Sequence, residues 1–271
     1  LDLQPNEIVK IPFILLLAWQ AARIHQQERD ISSPFSVVQL TGHTLLMVGL
    51  IAVVCGDIGM CVIYLFLFVT ISWMAGVKAR WFALGGTCFV GAILGAWFTI
   101  LQSDRFAYIR NRFMVVLDHS LDPLGAGFQQ SRSLLAIGSG SFFGVGVGAS
   151  KQKMFYLPEA HNDFIMAVLA EEMGFVGVTV VMILFALLFW RCYKIIMGQH
   201  NLRDRFTAFG ITTILVMGAV MNLAVVMGVA PPKGVPMPLM SYGGSNLLAT
   251  MLCVGLLMNF SRTADSWTKS S

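Results

Sequence analysis

The sequence predicts an all-α fold, a polytopic bundle of membrane helices, and two observations predict it. Of 271 residues, 56% are hydrophobic and only 12% are charged, and the mean hydropathy is +0.74. A soluble domain has about 25% charged residues. Seven apolar segments also approach the roughly 20 residues that a helix needs to cross a bilayer. The five cysteines form no CxxC pair, which argues against a disulfide framework or a cysteine metal cage.

The seven predicted membrane helices follow one another along the chain. They are Ile8–Arg23, Phe35–Val54, Ile58–Ala75, Trp81–Leu101, Phe164–Trp190, Phe206–Val229 and Leu239–Phe260. Pro12 in the first helix suits a first turn or a kink. Because the chain begins LDLQPNEIVK without an initiator methionine, we expect it to be a fragment that lacks an N-terminal part.

The basic residues predict the orientation of these helices. The short connections at Ile24–Pro34, Gly76–Arg80 and Arg191–Arg205 are all basic and all fall on one side. Short basic loops stay in the cytoplasm, so this side and the C-terminus are predicted to be cytoplasmic. The long segment Gln102–His161 then becomes a large extracytoplasmic loop within a single domain, residues 1–271.

Two parts of the outer segments have a recognisable pattern. Gly127–Ile137 predicts an amphipathic helix on the membrane surface. Five glycines between Gly138 and Gly148 let backbone approach a ligand or another helix closely. They fit a flexible loop and a phosphate cradle equally well.

The last outer loop contains four prolines, and Gly243–Gly244 is expected to interrupt or delay the final helix. Breaks at membrane depth are tolerated where protein or water covers the backbone. Lys233, Ser241 and Tyr242 are therefore candidates to line a cavity shared with Asp163. The alternative is a rigid hairpin between two helices.

Acidic residues mark the passage from outer loop to membrane helix. Glu159, His161 and Asp163 lie at the boundary, and Glu171 and Glu172 interrupt the apolar run that follows. Intramembrane ionisable groups usually face a bundle interior or a wet cavity. On a continuous helix Glu171 lies about 12 Å deeper than Asp163 and ~80° round, whereas Glu172 lies ~180° round. We expect Glu171 to line the cavity or pair with a neighbouring helix, and Glu172 to pack between helices.

Motifs along the whole chain resemble the SEDS family, whose members include the division protein FtsW and the elongation protein RodA. They are LQPNEIVK at the start, LDHSLDPLGAGFQQSRSLLAIGSGSFFGVGVG from Leu117, YLPEAHNDFIMAVLAEEMGFVG from Tyr156 and PKGVPMPLMSYGGSN from Pro232. The stretch GVGVGASKQKMFYLPEAH is more similar to FtsW than to RodA. Gly56, Asn162 and Asn246 depart from the family pattern but leave the ionisable groups in place. The family has ten membrane helices, so the resemblance implies that the first three are missing.

The resemblance implies a peptidoglycan glycosyltransferase of the bacterial cytoplasmic membrane, acting on its outer face during septal cell-wall synthesis. Such proteins polymerise lipid II, a disaccharide-pentapeptide on undecaprenyl pyrophosphate. The implied partners are a class B penicillin-binding protein transpeptidase of the FtsI type and other division membrane proteins, with no nucleic acid. Two alternatives are a lipid II flippase, which would also use buried carboxylates and broken helices, and a non-enzymatic scaffold for the transpeptidase.

Glycosyl transfer needs a base for the acceptor hydroxyl and positive charge for the departing pyrophosphate. Asp163 is the candidate base, and a simple N-cap is its alternative role. Burial would raise its pKa and the helix dipole would lower it, so the sequence leaves the net shift open. The candidates for the pyrophosphate are Lys151, Lys153, Arg132 and Lys233, with lipid headgroup contact as their alternative.

Glu159 and His161 are candidates to orient the substrate. Because Glu159, His161 and Asp163 alternate along the chain, they do not predict a protein-only metal cage. A Mg²⁺ ion shared with pyrophosphate needs just one or two carboxylates, so Asp163 or Glu159 stays open as a ligand. A hydrolase triad of Ser241, His161 and Asp163 has no nucleophile-elbow motif to support it.

Overall fold

The computed structural model describes residues 5–52, 58–101, 126–154, 157, 159–231 and 234–268. All seven predicted membrane helices are present in this part of the chain, together with one helix from the outer segment. In order they are α1 Pro5–Gln26, α2 Pro34–Leu50, α3 Ile58–Met74, α4 Ala79–Leu101, α5 Ala126–Gly140, α6 Ile165–Met197, α7 Leu202–Val226 and α8 Gly244–Thr268. The predicted all-α fold is confirmed.

Length and composition identify the helices suited to crossing a membrane. Within the described residues four qualify fully, namely Glu7–Gln26, Ile165–Met197, Leu202–Val226 and Gly244–Thr263, and the helices Pro34–Leu50 and Gly59–Met74 are shorter but apolar. The final helix begins at Gly244 and not at the predicted Leu239, because residues 238–240 form a turn. The expected delay at Gly243–Gly244 is therefore confirmed.

The chain divides into two compact units, and the first comprises residues 1–88, 188–217 and 244–271. Its core is a continuous apolar cluster that includes Phe13 and Tyr64, which pack edge to face with ring centroids 4.8 Å apart. Two loops predicted on the cytoplasmic side meet in this unit, where Ser32 accepts the backbone N–H of Lys78 at 2.9 Å. Their contact brings the two loops together at one end of this unit, and their cytoplasmic location stays a prediction.

The second unit comprises residues 89–187 and 218–243, and in it α5 closes the end of α7. Two fully buried residues of α5 bind carbonyls at this end of α7. Gln130 donates its amide to the carbonyl oxygen of Ala230 at 3.0 Å, and Ser133 donates its hydroxyl to that of Val226 at 2.8 Å. The last carbonyls of a helix have no partner within it. The predicted helix at Gly127–Ile137 is thus confirmed, and it caps a membrane helix.

Helix α6 is broken at Gly174, whose φ of 64° and ψ of −163° are not helical. A regular helix would pair the N–H groups of Phe175 and Val176 with the carbonyls of Glu171 and Glu172. The outer loop takes over all four groups. Phe175 and Val176 donate to the carbonyls of residues 141 and 142 at 3.0 and 3.2 Å, and residues 145 and 146 donate to the two glutamate carbonyls at 2.9 and 3.0 Å. Two helical hydrogen bonds are exchanged for four to the loop.

This exchange explains the glycine-rich stretch of the sequence. Gly144 has a φ of 80°, and a Cβ there would overlap the carbonyl of Glu172. A Cβ on Gly140 would overlap the carbonyl of Ala170, and one on Gly174 would overlap the backbone of Phe142 and Gly144. The sequence left two partners open for these glycines, a ligand or another helix. The structure shows that they approach another helix closely.

Candidate functional site

Asp163 lies in a tight turn immediately before α6. The turn begins at Glu159, a non-glycine residue with a φ of 54°, whose carbonyl accepts the backbone N–H groups of Asn162 at 3.0 Å and Asp163 at 3.1 Å. The Asn162 amide also donates to the Glu159 carboxylate at 2.7 Å. A left-handed backbone at a non-glycine residue costs of order 1–3 kcal/mol and is concentrated at functional sites.

Three consecutive carbonyls of this turn are held from outside it. The His161 carbonyl accepts the backbone N–H of Tyr242 at 3.0 Å, and the Asn162 carbonyl accepts the hydroxyl of Ser241 at 2.6 Å. The Asp163 carbonyl accepts the side-chain amide of Asn222 on α7 at 2.8 Å. The same amide donates to the carbonyl of Val235 at 2.9 Å. The turn, α7 and the proline-rich loop are thus tied together around Asp163.

Ser241 and Tyr242, both predicted to line the site, differ in what they offer a ligand. The Ser241 side chain is buried, and its hydroxyl accepts the N–H of Met237 at 2.7 Å while donating to the Asn162 carbonyl. Because that proton is already donated to a backbone carbonyl, the arrangement does not support Ser241 as the nucleophile of a hydrolase triad. The Tyr242 side chain is 84% exposed. Of the pair, only Tyr242 presents its side chain outward.

The electrostatic environment of Asp163 answers the question that the sequence left open. Burial, and after it the nearby negative charge of Glu159, together raise the pKa of its carboxyl from 3.8 to about 6. Gly234 borders the carboxyl, since a Cβ on Gly234 would lie 3.4 Å from Asp163 Oδ2. A carboxylate with this pKa holds a proton weakly at neutral pH and accepts one readily, as a general base must.

A second polar group forms where Glu171 and Glu172 meet residues 150–153. The buried Glu171 carboxylate accepts the Ser150 hydroxyl at 2.5 Å and the backbone N–H groups of residues 151 and 152 at 3.1 and 3.3 Å. Glu172 lies 3.7 Å from the ammonium of Lys153. Lys151 is exposed.

The helical wheel separated the two glutamates, yet both bind this one segment. The difference arises because the loop wraps across the broken helix and because the Lys153 side chain is long enough to reach Glu172. Glu171 pairs with the loop, and its predicted contribution to substrate binding stays a prediction.

The predicted site residues therefore fall into separate groups. Glu159, His161, Asp163, Ser241 and Tyr242 are brought together around the turn. Lys151, Lys153 and Glu171 form the second group, and Arg132 lies on α5 with its guanidinium 4.9 Å from the ring centre of Phe128. Lys233 lies outside the described residues.

The described residues contain no cluster of three or more potential metal ligands. Two adjacent carboxylates, Glu159 and Asp163, would suit a hard cation that takes its remaining ligands from pyrophosphate and water. A Mg²⁺ ion bound in this way stays a prediction.

Sequence reasoning missed three residues that organise the site. Gln130 and Ser133 lie within the predicted surface helix, where the sequence alone does not mark them as buried. Asn222 is fully buried, and it is the one side-chain amide in the apolar run Phe206–Val229. An amide in an apolar helix is costly unless it is hydrogen-bonded. That cost was the available signal that Asn222 has specific partners.

Comparison with known proteins identifies the family. The FtsW/RodA/SpoVE family model, described as a cell cycle protein, matches residues 1–266. The chain belongs to this family, which is the SEDS family.

Individual relatives agree with this assignment. The chain is 40% identical over 266 residues to the probable peptidoglycan glycosyltransferase FtsW of Thioalkalivibrio sulfidiphilus, covering 96% of this chain and 64% of that protein. It is 34% identical over 266 residues to the stage V sporulation protein E of Bacillus subtilis, covering 96% and 69%. The chain thus spans about two thirds of the length of the curated relatives it matches.

Solved structures share the fold. A chain from work on the structural coordination of polymerization and crosslinking by a peptidoglycan synthase complex matches with a TM-score of 0.78 and 29% identity, covering 97% of this chain and 71% of that one. The rod shape determining protein RodA of Thermus thermophilus matches with a TM-score of 0.62 and 28% identity, covering 95% and 64%. The multi-pass helix bundle predicted from the sequence is that of the family.

Proposed function

We propose that this protein is a peptidoglycan glycosyltransferase that polymerises lipid II, with Asp163 as its general base. The observation that carries the proposal is that Asp163 lies in a fixed turn and has a raised pKa. Its carbonyl is held from α7, the carbonyl of the preceding Asn162 is held from the proline-rich loop, and its pKa is raised to about 6. An efficient general base has a pKa near the working pH and a fixed position.

The names of the relatives supply the reaction class. The FtsW proteins that match at about 40% identity are described as probable peptidoglycan glycosyltransferases. The substrate is therefore a sugar on a polyprenyl pyrophosphate, and the product is a glycan strand. The active site lies on the extracytoplasmic face of the bacterial cytoplasmic membrane, at the division septum.

The reaction requires one proton transfer and one displacement. Asp163 takes the proton of the acceptor sugar hydroxyl as that oxygen bonds to the anomeric carbon of the donor. The bond between that carbon and the pyrophosphate oxygen breaks, and undecaprenyl pyrophosphate leaves with the electron pair. Lys151, Lys153, Arg132 and Lys233 are the candidates to stabilise its charge. Glu159, His161 and Tyr242 are the candidates to orient the sugars.

The partner is a class B penicillin-binding protein, which crosslinks the strands that this protein makes. A structural match at 29% identity to a chain of a peptidoglycan synthase complex supports this pairing. Other division membrane proteins would bind the same assembly.

The test compares the wild type with Asp163→Asn in the full-length protein, reconstituted with its partner and supplied with fluorescent lipid II. Asparagine keeps the size and loses the base, so we expect polymer from the wild type and at least a hundredfold less from the variant. Equal polymer from both proteins would refute the role of Asp163.

A flippase is the second candidate, because the break in α6 resembles the discontinuous helices of transporters. In such helices the freed backbone groups line a cavity, whereas here the four groups around Gly174 bind the outer loop. This favours the enzyme over the transporter. Movement of lipid II across liposome membranes without polymer formation would favour the flippase. Absence of both activities would favour the non-enzymatic scaffold.

A further inference from the structure

Asn222 bridges two chain segments that bear on the candidate base. Its amide nitrogen donates to the carbonyl of Asp163 at 2.8 Å and to the carbonyl of Val235 at 2.9 Å. Val235 follows Gly234, the residue that borders the Asp163 carboxyl. One side chain on α7 therefore fixes both the backbone of the base and the strip of loop beside its carboxyl.

We infer that Asn222 is a positioning residue for glycosyl transfer, which holds Asp163 against the proline-rich loop in the geometry that proton transfer requires. The inference rests on the proposed function of Asp163. Asn222 itself is fully buried and touches the base only through its backbone, so it has no direct part in the chemistry.

The chemistry of the amide explains why asparagine suits this position. Both of its N–H groups are used by carbonyl acceptors, which fixes the orientation of the amide. Aspartate has the same shape but would place an oxygen between two carbonyl oxygens, a repulsive arrangement, and leucine has a similar size with no donor. Either replacement leaves the carbonyls of Asp163 and Val235 without the donor that pairs them.

Replacement of Asn222 would alter the position of Asp163. Displacement of a catalytic group by about 1 Å can cost on the order of a hundredfold in rate. The pyrophosphate candidates on residues 151–153 are held by Glu171 and Glu172, not by Asn222. Loss of Asn222 should therefore reduce turnover much more than lipid II binding.

The experiment measures initial rates of polymerisation against lipid II concentration for the full-length protein with its partner. The variants are Asn222→Asp, Asn222→Leu and the control Thr212→Val. Thr212 lies on the same helix, and its hydroxyl donates to the Ala208 carbonyl of that helix at 2.8 Å and also pairs with the Cys192 thiol; neither contact involves Asp163 or the proline-rich loop. We expect kcat to fall at least tenfold in both Asn222 variants, with KM and the equilibrium binding of fluorescent lipid II within about threefold of the wild type. The control should retain its rate.

Thermal unfolding and size-exclusion chromatography verify that each variant is folded, and rates are expressed per folded molecule. If Asn222→Leu does not fold, the isosteric Asn222→Asp variant decides. An unchanged kcat in a folded variant would overturn the inference, as would a parallel loss of binding and turnover. If Asp163→Asn is fully active in the same assay, the proposed function itself fails, and this outcome is distinct from a normal rate in the Asn222 variants alone.

Discussion

The backbone N–H of Val145 donates to the carbonyl of Glu171 at 2.9 Å, across a break in α6. It is one of four hydrogen bonds by which the glycine-rich loop takes over the pairing that the helix gives up at Gly174. The loop and the helix therefore act as one structural element, and the geometry that joins them depends on glycine.

We predict that Gly174→Ala destabilises the protein. The φ and ψ of Gly174, 64° and −163°, fall in a region that is open almost only to glycine, and a Cβ would also meet the loop backbone. The backbone strain alone is of order 1–3 kcal/mol. Thermal unfolding in detergent measures the effect. Gly138→Ala on α5 is the matched control, because a Cβ there meets open space. Equal unfolding temperatures for the two variants would contradict the account of the break.

We predict that Glu171→Ala loosens residues 150–153 and exposes them to trypsin. The carboxylate accepts three hydrogen bonds from this segment, which contains two lysines. Hydrogen bonds to a charged group contribute about 1.5–3 kcal/mol each, so cleavage after Lys151 or Lys153 should accelerate by roughly tenfold or more. Mass spectrometry of the fragments measures the rate. Glu172→Ala, which removes a single 3.7 Å ion pair, should change it little. Similar rates in both variants would mean that Glu171 does not anchor the segment.

We predict that Glu159→Gln moves the acidic limb of the activity profile to lower pH. The pKa of Asp163 is about 6 because of burial first and the Glu159 charge second. Since a base works only when deprotonated, activity should rise with pH through about 6 in the wild type. Removal of the Glu159 charge lowers the pKa of Asp163, but burial keeps it above the usual 3.8. Rates of polymerisation between pH 4.5 and pH 8 measure the shift, and a limb that stays in place or moves to higher pH would contradict it.

We predict that Asp163→Asn stabilises the protein more at pH 8 than at pH 5. A carboxyl whose pKa rises from 3.8 unfolded to about 6 folded favours folding while it is protonated. That contribution is present at low pH and is lost as the pH rises through about 6, when a partly buried charge forms. Asparagine carries no such charge. The difference in unfolding temperature between variant and wild type should therefore increase with pH. A difference that decreases would show that the charged form is stabilised in the fold.

The fold could be predicted from the sequence because hydropathy is a local property. Each of the seven membrane helices was found from its own apolar run, and Gly243–Gly244 correctly indicated the late start of α8. The break in α6 could not be found in this way. Nothing in the apolar run around Gly174 indicates a break, and only the contacts with the loop show that the regular helix stops there.

The site was predicted in part for a similar reason. Asp163 and its neighbours stand out because ionisable groups are costly near a membrane. The helical geometry correctly places Glu171 and Glu172 on different faces of an isolated helix. It does not include a loop that crosses the helix and binds both residues. Asn222 lies 59 residues from Asp163, and its hydrogen bond depends on tertiary packing that no local pattern carries.

The exchange of hydrogen bonds at Gly174 has a consequence for biogenesis. The loop residues 141–146 precede α6 in the chain, so they are synthesised before the helix that they complete. Until they dock, the two carbonyls and two N–H groups around Gly174 can pair only with one another in a regular helix, because hydrocarbon supplies no partner. The break in α6 can therefore form only after the loop has reached the same side of the membrane. The broken form of this helix is thus an outcome of loop docking and not of insertion alone.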